Sequence, residues 1–105
     1  MRFRLLTLLA LVALIAGACS GDDDAQTLTV YSGRSEELIA PLIDRFEEAT
    51  GIDVAVRYAD SAALAATIID EGDNSPADVF IAQDPASLGA VALDGRFTTL
   101  PADLL

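Results

Sequence analysis

The alternation of apolar and polar residues predicts a strand and then a helix at the start of the folded region. Residues 27–32, TLTVYS, are β-branched and aromatic, which favours a strand. Residues 35–50 carry apolar side chains at helical spacing and are followed by Gly51, a residue type that commonly ends helices. The apolar stripe of this helix consists of Leu38, Ile39, Leu42, Ile43, Phe46 and Ala49. Pro41 lies inside the stretch, so we expect the helix to break or kink near Ala40.

The same order of elements repeats twice more along the chain. Residues 52–58, IDVAVRY, alternate between apolar and polar positions and predict a second strand. Residues 60–71 predict a second helix. Its apolar face consists of Leu64, Ala65, Ile68 and Ile69. Residues 77–82, ADVFIA, form a nearly continuous apolar run, which is typical of a strand covered on both faces. A third helix is expected at residues 84–93 and a short extended segment at residues 97–100.

This order, β-α-β-α-β-α, predicts an α/β fold with a doubly wound parallel sheet. We assign the fold to residues 28–105. Three strands leave sheet edges with little to cover them, and the final residues, PADLL, resemble the opening of another helix. We therefore interpret these residues as the first part of a longer protein. A complete small α/β domain is the alternative.

Residues 1–18 have the features of a lipoprotein signal peptide. A basic start, MRFR, precedes a largely apolar stretch at residues 5–16, and small residues follow. A membrane-spanning helix is the alternative, but it needs about 20 consecutive apolar residues, and this stretch is shorter. We therefore expect an exported protein.

Cys19, the single cysteine of the chain, follows this segment directly. With the preceding residues, AGA, it resembles the lipobox of bacterial lipoproteins, in which the cysteine carries the lipid, although the lipobox prefers Leu where Ala16 stands. Acyl chains contribute about 0.8 kcal/mol per buried CH₂, so several of them hold a protein at a membrane. Residues 19–27 are then the lipidated cysteine and a polar, acidic tether. An unmodified thiol is the alternative.

The charge and the residue types of the chain exclude several classes of function. With 17 acidic and 6 basic residues, the formal net charge is −11, which argues against nucleic acid and anionic lipid headgroups as partners. The chain has no histidine, and its one cysteine lies at the predicted lipidation site. Catalysis by His or Cys and a zinc site are therefore excluded for this sequence. Because it also lacks a phosphate-binding glycine motif and a nucleophile elbow, we predict a binding protein and no enzyme.

Two bends of the chain place polar residues at the carboxyl ends of predicted strands. Ligands of open α/β sheets bind at this edge, beside the point where the strand order reverses. The candidate site residues are Ser32, Gly33, Arg34 and Ser35 in the first bend and Gln83 and Asp84 in the second. Each bend leads into a helix N-terminus, where backbone N–H groups and the helix dipole favour an anion. The hydroxyls and the guanidinium of the first bend also suit an anion, whereas the side-chain oxygens of the second bend could face a cation. The alternative is that Ser35 and Asp84 only cap helices while Arg34 faces water.

The stretches VYSGR, FEEATGI, IIDEG and PADVFIAQD follow one another in this order along the chain. Their combination resembles the N-terminal part of the ferric-iron substrate-binding proteins of ABC transporters, which are class II periplasmic binding proteins. The resemblance covers residues 27–105, and the single motifs also occur in other class II binders. It implies that these residues form the first part of the N-terminal lobe of a two-lobed protein, which closes on its ligand and delivers it to a membrane permease.

The resemblance also implies how the ligand is held. In this family Fe³⁺ is often bound by tyrosine phenolates of the second lobe, by a histidine or carboxylate of the first lobe and by a carbonate-like anion. The position that often carries the histidine corresponds to Ser35, and the position that carries an acid in some members corresponds to Gln83, so this sequence departs from the pattern and leaves the metal ligands of this lobe open. Arg34 corresponds to a position that can hold the anion. Tyr31 and Tyr58 are interpreted as packed strand residues.

We therefore expect an exported, monomeric lipoprotein, attached to the outer face of the cytoplasmic membrane or located in the periplasm. Its transported ligand would be Fe³⁺ bound with carbonate, and its partner would be an ABC transporter permease. Two alternatives stay open. One is a related binder of an oxyanion such as molybdate, of thiamine or of a polyamine, and the other is a surface lipoprotein that only displays an acidic domain.

Overall fold

The computed structural model describes residues 26–105, in which three strands alternate with three helices. The strands are β1 (Thr27–Ser32), β2 (Asp53–Tyr58) and β3 (Val79–Ile81), and the helices are α1 (Glu36–Thr50), α2 (Ser61–Glu71) and α3 (Pro85–Leu93). Two 3-10 turns, Gly72–Asn74 and Ala102–Leu104, are also present. The predicted signal peptide, Cys19 and most of the tether lie outside the described residues, so export and lipidation stay predictions.

The sheet is parallel throughout, with the strand order β2-β1-β3. All six residues of β1 pair with β2, whereas only its last three residues, from Val30 to Ser32, pair with β3. The chain thus places β2 on one side of β1 and crosses back to place β3 on the other. The predicted doubly wound α/β fold is confirmed, and the strand order reverses between β1 and β3.

The main core lies between the sheet and helices α2 and α3. Its members are Tyr31, Leu64, Ala65, Ile68 and Val91, with Ala77 and Phe80 packed against them. Leu64 and Val91 have no exposed surface, and burial of such a side chain contributes about 1.5–3 kcal/mol. Val30 is also buried, and because successive strand residues point to opposite faces, it covers the other face of the sheet from Tyr31.

Helix α1 is continuous through Pro41, so the break predicted just before that residue is wrong. The carbonyl oxygen of Ser35 accepts the N–H of Ile39 at 3.2 Å, which closes the first turn before the proline is reached. Proline then removes a single hydrogen bond from a helix of 15 residues. The helix ends as predicted, because Gly51 adopts the left-handed conformation (φ 72°) and donates its N–H to the carbonyl oxygen of Glu47 at 2.8 Å.

Strand β3 is shorter than the predicted strand at residues 77–82. The carboxylate of Asp78 accepts the backbone N–H of Thr29 at 2.8 Å, while the backbone N–H of Asp78 donates to the carbonyl oxygen of Thr29 at 2.9 Å. Just before the strand begins, a side chain thus supplies one of the two hydrogen bonds between these residues. Val79 is 40% exposed, which shows that the described residues do not cover both faces of this strand. The extended segment predicted at residues 97–100 does not form a strand.

The apolar stripe of α1 is covered less than its pattern predicts. Ile39 is buried, but Leu38 and Leu42 are more than half exposed within the described part of the chain. No helix of residues 26–105 combines the length and the apolar character that crossing a bilayer requires.

Candidate functional site

The two bends that follow β1 and β3 lie side by side at one edge of the sheet, as predicted. The strands are parallel and adjacent, so their carboxyl ends meet there. Gly33 donates its backbone N–H to the carbonyl oxygen of Ile81 at 2.7 Å, and Nε2 of Gln83 donates to the carbonyl oxygen of Gly33. Hydrogen bonds in both directions therefore link the bends.

Ser61, the first residue of α2, joins the same contact. Its side chain is buried, and its Oγ accepts the backbone N–H of Gln83 at 2.9 Å. A Cβ on Gly33 would collide with this Oγ and would lie 3.0 Å from Ser61 Cβ and 3.1 Å from the carbonyl oxygen of Ile81. Position 33 thus requires glycine for close approach. This role of Ser61 is not predicted from the sequence, where a serine beside Asp60 indicates only a helix start.

Ser32 shapes the first bend from the inside. It is fully buried, and its Oγ donates to the carbonyl oxygen of Arg34 at 3.0 Å and accepts the N–H of Arg34 at 3.2 Å. Both bonds hold the backbone of the arginine. Ser32 therefore positions Arg34 and does not line the pocket beside it.

This pocket, which we call the rim pocket, has a volume of about 510 Å³. It is lined by Gly33, Arg34, Ser35, Tyr58, Ala59, Asp60, Ala63 and Gln83. Four of the six candidate site residues therefore share one pocket. Ser35 precedes α1, yet its side chain makes no capping hydrogen bond. Arg34 is exposed and forms no ion pair with any other residue of the described part of the chain.

Tyr58, the last residue of β2, and Asp60, the residue before α2, complete the wall of the rim pocket. Tyr58 is thus half-buried in its strand and also lines the pocket, which its sequence pattern does not predict. Burial raises the pKa of its phenol, and the negative charges of Glu36 and Asp44 raise that pKa further. One signal in the sequence pointed to this place, because Tyr58 ends a strand whose carboxyl end lies at the ligand-binding edge. Tyr31, by contrast, is packed in the core as predicted.

Asp84 lies apart from the rim pocket. Its Oδ1 accepts the backbone N–H of Ser87 at 2.7 Å and its Oδ2 accepts the Ser87 hydroxyl at 2.9 Å, so it caps α3. These hydrogen bonds hold the pKa of Asp84 below its ordinary value. The residue lines a groove of about 500 Å³ between α2 and α3, together with alanines such as Ala62 and Ala90. Within residues 26–105, no three Asp, Glu, Cys or His side chains form a group that could hold a metal ion.

Known proteins are similar to this chain in sequence. A sequence model of the family described as bacterial extracellular solute-binding protein matches residues 28–99. The major ferric iron-binding protein of Neisseria gonorrhoeae is 35% identical over 94 residues, which are 89% of this chain and 28% of that protein. The chain therefore spans little more than a quarter of the length of this curated relative.

Solved structures share the fold as well. Iron-bound HitA from Pseudomonas aeruginosa superimposes with a TM-score of 0.71 at 32% identity, over 74% of this chain and 26% of that one. A Trichodesmium protein (IdiA, FutA) in complex with iron and citrate gives a TM-score of 0.66 at 30% identity, over 72% and 24% of the two chains. The resemblance found in the sequence is thereby confirmed. Because the family match covers most of the chain and the fold agrees with it, the chain belongs to the family of bacterial extracellular solute-binding proteins.

Proposed function

We propose that the protein binds ferric iron together with a carbonate-like anion outside the cytoplasm and delivers it to an ABC permease. The names of the similar proteins support iron as the ligand, and one of them was solved with iron and citrate. The family is one of solute-binding proteins, which supports a binding role without bond chemistry. Residues 28–105 would supply part of the first lobe.

The observation that carries this proposal is the rim pocket, in which Arg34, Ser35 and Gln83 come together. The guanidinium of Arg34 is a planar fork of N–H donors that matches carbonate or a carboxylate. Ser35 adds a hydroxyl, and α1 begins directly after it, so the positive end of the helix dipole lies beside the anion. These groups would hold the anion, whose remaining oxygens would face the iron.

Gln83 has two roles in this arrangement. Its Nε2 donates to the carbonyl oxygen of Gly33, which fixes the spacing between the two bends. Its Oε1 is then left as a neutral acceptor for a cation. Neither Gln83 nor Ser35 is charged, so the positions that can carry an acid and a histidine in the family contribute no anionic ligand here. The charge of the bound anion therefore contributes more to holding the iron.

Titration of Fe³⁺ into the full-length protein, with and without bicarbonate, tests this site. Because a hydrogen bond to a charged group contributes about 1.5–3 kcal/mol, we expect Arg34→Ala to weaken binding about 10–100-fold and to remove its dependence on bicarbonate. Arg45→Ala is the matched control, since it removes the same charge from an exposed position of α1 outside the rim pocket. Equal affinity of the parent and Arg34→Ala under both conditions would exclude Arg34 from the site.

Residues 1–27 would provide export and attachment to the membrane. The signal peptide would direct the chain out of the cytoplasm, and the lipid on Cys19 would hold a monomer at the outer face of the cytoplasmic membrane. The extracellular description of the family supports the location. Labelling of growing cells with palmitate tests the anchor, because the parent should incorporate the label and Cys19→Ser should not. A labelled Cys19→Ser variant would contradict it.

A second candidate ligand is an oxyanion such as molybdate, bound without iron. The pairing of Arg34 with Ser35 favours it, as does the neutral side chain at position 83. Calorimetric titrations with molybdate and with Fe³⁺ in bicarbonate separate the two candidates. If the protein binds Fe³⁺ tightly and molybdate weakly, the iron proposal is supported. If it binds molybdate tightly and Fe³⁺ weakly, the ligand is an oxyanion and the iron proposal is wrong.

A further inference from the structure

We propose that Tyr58 and Asp60 are the ligands that this lobe contributes to the bound ferric iron, in place of the anionic ligands that positions 35 and 83 lack. The inference rests on the proposed function and deepens it by naming the residues that contact the metal. It starts from the rim pocket, whose lining includes both residues.

The two tyrosines of the chain differ in what their hydroxyls do. Tyr31 is buried in the core, and its hydroxyl donates to the carboxylate of Glu71 at 3.0 Å. Tyr58 lies in the rim pocket, and no group among residues 26–105 forms a hydrogen bond with its hydroxyl. The hydroxyl of Tyr31, away from the pocket, is thus already hydrogen-bonded, whereas that of Tyr58 is available to a ligand.

The aspartates at two helix starts differ in the same way. Asp84 caps α3 through two hydrogen bonds to Ser87. Asp60 occupies the corresponding position before α2, yet its side chain makes no capping hydrogen bond and no ion pair with another described residue. Asp60 lines the rim pocket, whereas Asp84 does not. Again the side chain in the pocket is the uncommitted one.

Both side chains offer the oxygen donors that a hard, highly charged cation prefers. Tyr58 would bind a trivalent ion as its phenolate and release its proton to solvent, because a metal ion beside a weak acid favours the deprotonated form. The side chain of Asp60 adds carboxylate oxygens on the same wall of the rim pocket. Together they would supply two negative charges to the metal, which Ser35 and Gln83 cannot do.

The distribution of charge around the rim pocket fits a cation and an anion bound next to each other. Arg34 and Ser35 provide the groups for the anion, while Tyr58 and Asp60 provide those for the cation. The negative charges of Glu36 and Asp44 also act on Tyr58, which favours a cation at that side of the pocket.

The test uses Fe³⁺ supplied as its citrate complex to the full-length protein, with two readouts. The first is the affinity, measured by competition with citrate, and the second is the phenolate-to-iron charge-transfer absorption. We expect Tyr58→Phe to lower the affinity by at least about tenfold, since even groups that only orient metal ligands contribute roughly 10–100-fold. The same variant should change the absorption band. Asp60→Asn should lower the affinity and leave a phenolate band in place.

The controls are Tyr31→Phe and Asp84→Asn, which make the same chemical changes outside the rim pocket. Both should bind Fe³⁺ as the parent does and show the same band. If the parent binds Fe³⁺ and Tyr58→Phe matches it in affinity and absorption, this inference is wrong while the proposed function stands. If the parent itself binds no Fe³⁺, the proposed function fails, and the inference fails with it.

Discussion

Ser61 Oγ occupies the space that a side chain on Gly33 would need. The same oxygen accepts the backbone N–H of Gln83 at 2.9 Å. One hydroxyl therefore packs against the first bend and is hydrogen-bonded to the second. Ser61 begins α2, whose Leu64 is fully buried in the core. The geometry of the rim pocket is therefore set by packing between elements that are distant in sequence.

Replacement of Gly33 tests this contact. We expect Gly33→Ala to lower the free energy of unfolding by about 1–3 kcal/mol, because the new methyl group overlaps the side chain of Ser61 and lies close to the carbonyl oxygen of Ile81. Urea denaturation of the purified protein measures the change. The double variant Gly33→Ala/Ser61→Gly, which removes the overlapping side chain, should recover part of the loss.

Gly89 provides the matched control for that substitution. It lies within α3, and a Cβ added there would have no atom within 4 Å. Because alanine favours helix more than glycine, Gly89→Ala should raise the free energy of unfolding by up to about 1 kcal/mol. Equal effects of the two glycine substitutions would contradict the close contact at Gly33.

The cap on α3 should make stability depend on pH in the acid range. Folding lowers the pKa of Asp84, so the charged carboxylate adds to the free energy of unfolding above the ordinary aspartate pKa of about 3.9. This stabilisation is lost as the pH falls through the lower pKa of the folded state. Asp84→Ala should therefore lower the urea midpoint at neutral pH, and the difference from the parent should shrink in strong acid. Ser87→Ala removes only the hydroxyl hydrogen bond and retains the backbone one, so it should lower the urea midpoint less than Asp84→Ala does. A loss for Asp84→Ala that does not change with pH would contradict this account.

Pro41 should cost α1 stability even though it does not break the helix. Proline in a helix interior is about 3 kcal/mol less favourable than alanine, and part of this is offset because proline also restricts the unfolded chain. We expect Pro41→Ala to raise the free energy of unfolding by about 1–3 kcal/mol in thermal or urea denaturation. Pro101→Ala, which lies outside the three α-helices, should change it by less than about 0.5 kcal/mol. No gain from Pro41→Ala would contradict this cost of the proline.

The order of elements follows from the sequence because its signals are local. Apolar spacing defines the strands and helices, and Gly51 and Asp84 mark helix boundaries that the structure confirms. The position of the site also follows, because parallel neighbouring strands bring their carboxyl ends together. The length of β3 does not follow, since a side chain of Asp78 takes over part of its pairing.

The details of the pocket depend on contacts that no local pattern carries. Asp60 and Asp84 look alike in the sequence, as aspartates before helices, yet only Asp84 caps its helix. Tyr31 and Tyr58 both lie in strands, but only Tyr58 reaches the rim pocket. Such differences arise from the arrangement of whole elements, so they require the structure.

Iron-loaded crystals of the full-length protein provide the most direct test of the rim pocket as the first lobe's half of the metal site. X-ray anomalous differences measured at the iron absorption edge locate the metal without reference to any assumed ligand. We predict a peak at the rim pocket, within bonding distance of the Tyr58 oxygen, with an anion held by Arg34. A peak away from this pocket, with Tyr58 and Arg34 both in contact with water only, would contradict the account.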